Sequence, residues 1–234
     1  MGHITENILS LRQELPSGVE LVAVSKFKSG DEILEAYEAG QRVFGESRPQ
    51  ELKEKALSLP KDIEWHFIGH LQSNKIKMTV PYVKLIHSVD TPKLFFEIER
   101  WCRQNGFSID VLLEMHIASE ESKQGFSDEE VMDFLAGIEK ARQSGDNEGY
   151  PSRVRIRGVM GMASLTEDEA LIRREFAHLN SVFDRIKALG YPFLGQFDLK
   201  SFGMTHDYHI AVEMGSNMVR VGTKIFGPRG VRLS

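Results

Sequence analysis

Strand-like and helix-like segments alternate along this 234-residue chain almost without interruption, and that alternation limits the folds open to it more than any other feature. Strands are expected at Leu21–Lys26, Arg42–Gly45, Trp65–Gly69, Val83–His87, Ile109–Ile117, Val154–Met160, Phe197–Gly203 and Met218–Val221. Several are apolar or β-branched runs without polar alternation, which marks strands covered on both faces, as in a parallel sheet. Helices are expected at Ile4–Glu14, Glu46–Leu57, Gln72–Met78, Asp168–Leu189 and Asp207–Met214, and three more open at side-chain caps. Ser29 with Glu32 and Ser127 with Glu130 have capping-box spacing, and Thr91 precedes a first-turn proline, Pro92. Gly40 and Gly106 stop two of these helices. Eight strands alternating with helices, at a length common for one domain, predict an α/β fold: a single (β/α)8 TIM barrel over residues 1–234. An open doubly wound sheet is the competitor, but no Rossmann glycine fingerprint follows the first strand.

Charge and cysteine usage narrow the function classes. A formal net charge of −5 with scattered Lys and Arg argues against an extended nucleic-acid footprint. The single cysteine, Cys102, has no internal partner and fits a reducing compartment as a structural thiol. The first residues lack a basic-then-apolar leader, and no run of about 20 apolar residues is present to span a bilayer. The expectation is a cytoplasmic protein with no nucleic-acid or membrane partner. His66 and His70 have a spacing that suits a metal on a helix, but they fall in and after a strand, so no metal site is expected.

In a barrel of this kind chemistry gathers at the C-terminal ends of the strands. The first strand delivers Lys26 there, with Val22 and Val24 on the same face; Lys28 shares that parity, so pattern alone leaves either lysine as the candidate amine. On the fifth strand Leu112, Glu114 and His116 share a face, and a carboxylate among apolar neighbours is expected to be protonated or paired, Lys26 being one partner open to it. After strand seven comes Ser201-Phe202-Gly203-Met204-Thr205, and Gly215-Ser216-Asn217 leads into Arg220-Val221-Gly222-Thr223. Small residues let backbone N–H groups approach an anion, hydroxyls donate to it and an arginine neutralises it. A lysine facing an anion cradle suits an aldehyde that carries a phosphate, such as pyridoxal 5′-phosphate.

Val22-Ala23-Val24-Ser25-Lys26, Phe44-Gly45-Glu46, Trp65 through Lys75, Glu121 through Phe126, Arg157-Gly158-Val159-Met160, Ser201 through Thr205 and Gly215 through Thr223 together resemble the signature of the pyridoxal-phosphate homeostasis proteins, the YggS/PROSC family. The likeness runs in order over nearly the whole chain. It implies a fold-type III barrel like the N-terminal domain of alanine racemase, with pyridoxal 5′-phosphate held covalently by Lys26 rather than Lys28. It also implies cofactor contacts from Asn74, Ser201, Met204, Thr205, Arg220, Gly222 and Thr223, with Arg220 left open between phosphate and ring. Ser47 and His116 stand where the family commonly has asparagine, a departure that bears on hydrogen bonding around the cofactor.

The resemblance implies a carrier that buffers or delivers the cofactor within vitamin B6 balance, in transient contact with apo pyridoxal-phosphate enzymes and itself expected to be a monomer. The alternative is an amino-acid racemase. Alanine racemase takes a second base from a further domain for which this chain is expected to have no room, and without such a base racemisation should be poor. Lys123, in the polar loop after strand five, is a candidate for closing over the mouth or for handing cofactor on; an exposed loop lysine is the simpler reading.

Overall fold

The computed structural model describes residues 2–118 and 124–228. Eight parallel strands close into a barrel in sequence order: β1 (Glu20–Val24), β2 (Val43–Glu46), β3 (Glu64–Phe67), β4 (Leu85–Val89), β5 (Ile109–Glu114), β6 (Val154–Met160), β7 (Leu199–Met204) and β8 (Met218–Val221). Closure is made by β8 against β1, with Val22 opposite Arg220. The helices are α1 (His3–Glu14), α2 (Gly30–Glu38), α3 (Pro49–Ser58), α4 (Ile76–Thr79), α5 (Pro92–Asn105), α6 (Asp128–Ser144), α7 (Glu169–Ala188), α8 (Tyr208–Glu213) and α9 (Thr223–Phe226). No helix among the described residues is long and apolar enough to cross a membrane.

Local chemistry sets most boundaries. The capping boxes of Ser29/Glu32 and Ser127/Glu130 both form, and Thr91 Oγ1 accepts from Leu94 N. Three expectations are corrected. The first strand ends at Val24, so Lys26 lies in the loop beyond it. Glu46 ends β2 instead of opening a helix, and α3 starts at Pro49, whose missing N–H suits a first turn. The segment after β3 is a 3-10 turn, Ser73–Lys75, running into the single turn of α4.

Two apolar cores result. The larger lies between the barrel wall and the helices, where Ala23, Phe44, Phe67, Ile86 and Phe202 meet residues such as Ile33, Leu52, Phe95 and Phe176. The smaller fills the barrel: Val22, Val43, Leu85, Leu112, Met160 and Met218, with Leu199 against them. Strand parity then places His66, His87, Glu114, Ser201 and Arg220 on the same inner face, and all five are buried. The barrel interior thus passes from aliphatic to polar along its axis.

Candidate functional site

A cleft of about 210 Å3 opens at the C-terminal ends of β1, β7 and β8. Lys26, Met204, Thr205, Arg220, Gly222 and Thr223 line it, with Val24, Lys28, Ile68, Met162 and His206. The structure therefore brings together six of the eight residues singled out in the sequence. Ser201 lies just beneath them, fully buried on β7. Asn74 is not brought in: it lines a separate hollow beside Ser73, Ile76 and Trp101, against α5. Larger hollows lie elsewhere, one of about 570 Å3 along the outer side of α5 and one of about 400 Å3 at the N-terminal ends of β1 and β2, but none of them is lined by the C-terminal strand ends.

Arg220 is the electrostatic centre. Its guanidinium donates through Nη1 to Ser201 O at 2.8 Å and to Ser201 Oγ at 2.6 Å, and through Nη2 to Gly161 O at 3.1 Å. All three acceptors are neutral, and no carboxylate among the described residues forms an ion pair with it. Burial lowers its pKa to about 10, against the fields of Glu114 and Asp207. It is still a cation at neutral pH, desolvated and facing a cleft.

Behind it runs a chain of buried groups. His87 Nδ1 lies 3.0 Å from Ser201 Oγ, and His87 Nε2 lies 3.0 Å from His66 Nδ1. Burial holds His66 at about 3 and His87 well below the usual imidazole value, so both rings are neutral. Arginine can only donate, so the Ser201 hydroxyl accepts from Arg220 and spends its own proton on His87 Nδ1. That leaves His87 Nε2–H donating to His66 Nδ1. The spacing of His66 from His70 points only to a metal that this strand cannot hold, and no motif marks His87; the signal both carry is inward strand parity, shared with their apolar neighbours. His70 diverges to the surface, 3.3 Å from Asp90.

The backbone around the cleft is made for close approach. Gly222 N donates to Thr205 Oγ1 at 3.2 Å, tying the ends of β8 and β7. A Cβ on Gly222 would stand 3.3 Å from both the Cβ and the carbonyl oxygen of Val24, so a side chain there would fill the gap between β8 and β1. Glu114, reading inward from β5, keeps one carboxylate oxygen without a hydrogen-bond partner. Its carboxyl is pushed up to about 7, mainly by burial and then by Asp90, with Arg220 and a hydrogen bond from Gln124 opposing. The departures at Ser47 and His116 lie in the two loops that follow β2 and β5: Gly69 packs so closely on Ser47 that a Cβ would fall 2.4 Å from the Ser47 carbonyl oxygen, and His116 N donates to Phe126 O. Lys123 and the acidic pair Glu120-Glu121 lie outside the described residues.

The family profile described as alanine racemase, N-terminal domain, matches residues 1–230. A pyridoxal phosphate homeostasis protein of Pasteurella multocida is 34% identical over 235 residues, covering 98% of this chain and 96% of its own. Among solved structures, PipY of Synechococcus elongatus with PLP bound superposes with a TM-score of 0.84 at 33% identity, covering 96% of this chain and 100% of that one. Alanine racemase of Enterococcus faecalis shares the fold, with a TM-score of 0.68 at 16% identity over 97% of this chain and 58% of the racemase.

Proposed function

The chain belongs to the pyridoxal phosphate homeostasis protein family, built on the alanine racemase N-terminal domain, and from that premise we propose that it binds pyridoxal 5′-phosphate at the barrel mouth and serves the cell's balance of that cofactor. The observation that carries this reading is Arg220, a buried guanidinium without a carboxylate partner among the described residues, in the same cleft as Lys26. A desolvated cation of this kind is stabilised by an anionic ligand, and PLP is what the relative PipY is described with. The residues fit the group: an amine, two threonine hydroxyls, a cation, and a glycine whose missing Cβ leaves the room.

The bound cofactor supplies an aldehyde able to take an amine covalently. Lys26 is the residue proposed to hold it. Thr205 and Thr223, with the backbone N–H of Thr223, orient the phosphate, while the N–H groups of Met204 and Gly222 are spent on Asp207 Oδ1 and Thr205 Oγ1 and hold the loop ends in place. Arg220 supplies positive charge, and Ser201 holds Arg220 by accepting two of its hydrogen bonds through its carbonyl and hydroxyl. Asn74, in its separate hollow, is left outside this set.

A carrier is favoured over a racemase because proton exchange at carbon needs a second base facing the lysine across the ligand. None of the five tyrosines lines the cleft, and Tyr208, the nearest in sequence, is turned to Glu14 and Lys224 on the outer surface. Lys28 does line it but donates to Phe226 O and pairs with Glu32. A cytoplasmic monomer that meets apo-enzymes transiently completes the proposal.

The test is an absorbance titration with pyridoxal 5′-phosphate, borohydride reduction and peptide mapping. An imine band with label on Lys26 supports the reading. No band, or label spread over surface lysines, would defeat it. Alanine racemisation that requires Lys26 would replace the carrier with the enzyme.

A further inference from the structure

The loop that carries Lys26 is gripped from outside the barrel by one helix. Lys55 Nζ, on α3, donates to Ser25 O at 2.8 Å, and Glu51 Oε1, one turn earlier, accepts from Phe27 N at 2.7 Å. The Ser25 carbonyl belongs to the peptide unit before the Lys26 Cα, and the Phe27 N–H to the one after it. Both peptide planes that border Lys26 are therefore pinned, which fixes its backbone torsions. The two clamps pair with each other at 2.7 Å, and Lys55 also donates to Glu46 Oε1 at 2.8 Å, the same oxygen that accepts from Ser25 Oγ at 2.6 Å.

Two observations mark this as more than an ion pair. Phe27 has φ +66°, the one non-glycine residue with positive φ among those described. Such a conformation is disfavoured for a residue that carries a Cβ and persists only where the surroundings impose it. Glu46 is fully buried with one oxygen unpartnered, its carboxyl raised by burial, so the cluster is a costly way to hold a loop.

We propose that Glu51 and Lys55 are positioning residues for Lys26: they hold the main chain on either side of it, so that its amine reaches a ligand aldehyde from a narrow range of positions. This rests on Lys26 being the amine of the proposed function. In that condensation the amine nitrogen bonds the aldehyde carbon, and its two hydrogens leave with the aldehyde oxygen as water, so no other reactant is needed. Fixing the approach of one reacting group lowers the entropic part of the barrel-mouth reaction without adding contacts to phosphate or ring.

The experiment compares the native protein with Lys26→Ala, Lys55→Met, Lys55→Arg and Glu51→Gln. Three quantities are read: the rate of the imine band with pyridoxal 5′-phosphate, the affinity for pyridoxamine 5′-phosphate, which lacks the aldehyde, and the rate at which an amine reagent labels Lys26 in the unloaded protein. Lys55→Met should slow the band about tenfold and alter Lys26 labelling, while pyridoxamine phosphate affinity stays within about threefold; Lys55→Arg should recover most of the rate. A native rate in Lys55→Met, or an equal loss of pyridoxamine phosphate binding, overturns the proposal. If Lys55→Met does not fold, Glu51→Gln, which keeps the side chain's size, is judged by the same criteria. A native protein that gives no band on Lys26 overturns the proposed function and the clamp with it, whereas a native band unaffected in the α3 variants overturns the clamp alone.

Discussion

The Ser201 hydroxyl sits 2.6 Å from Arg220 Nη1 and 3.0 Å from His87 Nδ1, so a single small side chain joins the barrel's buried cation to its neutral histidine pair. Ser201→Ala removes an acceptor from Arg220 and the donor to His87 at once, in a place without exposure to water. Each buried group left unsatisfied costs about 1–3 kcal/mol, so a loss in that range is expected in urea unfolding with an unchanged slope. A loss under about 0.5 kcal/mol would mean the hydroxyl is not the link described.

Gly203 turns β7 toward α8 with φ +98°, and a Cβ there would stand 2.5 Å from the Ala211 Cβ and 3.1 Å from the Tyr208 Cα. Gly203→Ala pays for the left-handed backbone and for the overlap together. A destabilisation above about 2 kcal/mol is expected, and because Met204 and Thr205 follow directly, ligand affinity should fall too. Denaturant unfolding and pyridoxamine phosphate titration of the same variant check both.

What was legible in the sequence was what is decided locally or by period. Ser29 and Ser127 announce their helices because a capping box is complete within four residues, and inward parity on β5 places Glu114 correctly because the strand repeats every second residue. Local pattern carries the following helix back to Glu46 because its sequence neighbours permit one. What makes it a strand end is Lys55 on α3 and Ser25 on β1's loop, contacts no local pattern contains. The same holds for Lys26, which the apolar run puts at a strand end but which lies past it in a loop set by Glu51 and Lys55. Asn74 stands in a stretch rich in resemblance, but which hollow it faces depends on the packing of α5.

Glu99 on α5 ties that helix to the start of β6. Its Oε2 accepts from Arg153 N and Val154 N at 3.0 and 2.8 Å, and its Oε1 accepts from Ser152 N at 2.8 Å and from Arg103 Nε at 2.6 Å. These bonds outweigh burial and hold its carboxyl below the usual value. A lowered carboxyl stabilises the fold above its unfolded pKa, and that contribution fades as pH falls through the folded value. Glu99→Ala should cost about 3 kcal/mol at pH 7, with the gap from the native protein narrowing in acid. A gap that stays constant down to pH 3 would show the carboxylate's charge to be irrelevant.

Glu114 runs the other way. Its carboxyl is raised from 4.5 to about 7, so the folded chain binds that proton more tightly than the unfolded one. The contribution is therefore fully present below pH 4.5 and is lost as pH rises to about 7, a swing of about 3 kcal/mol at most. Physically, the proton lets the buried Oε2, which has no partner, carry no charge. Glu114→Gln keeps the shape and stays neutral, so its unfolding free energy relative to the native protein should be near zero at pH 4.5 and favourable to the variant at pH 7.5. Taking the difference between the two proteins at each pH cancels the titration of groups common to both. Parallel urea curves at pH 4.5, 6 and 7.5 read it directly; a native–variant difference that does not move across this window would show that Glu114 titrates as an ordinary carboxylate and that the field at the barrel mouth is weaker than its burial requires.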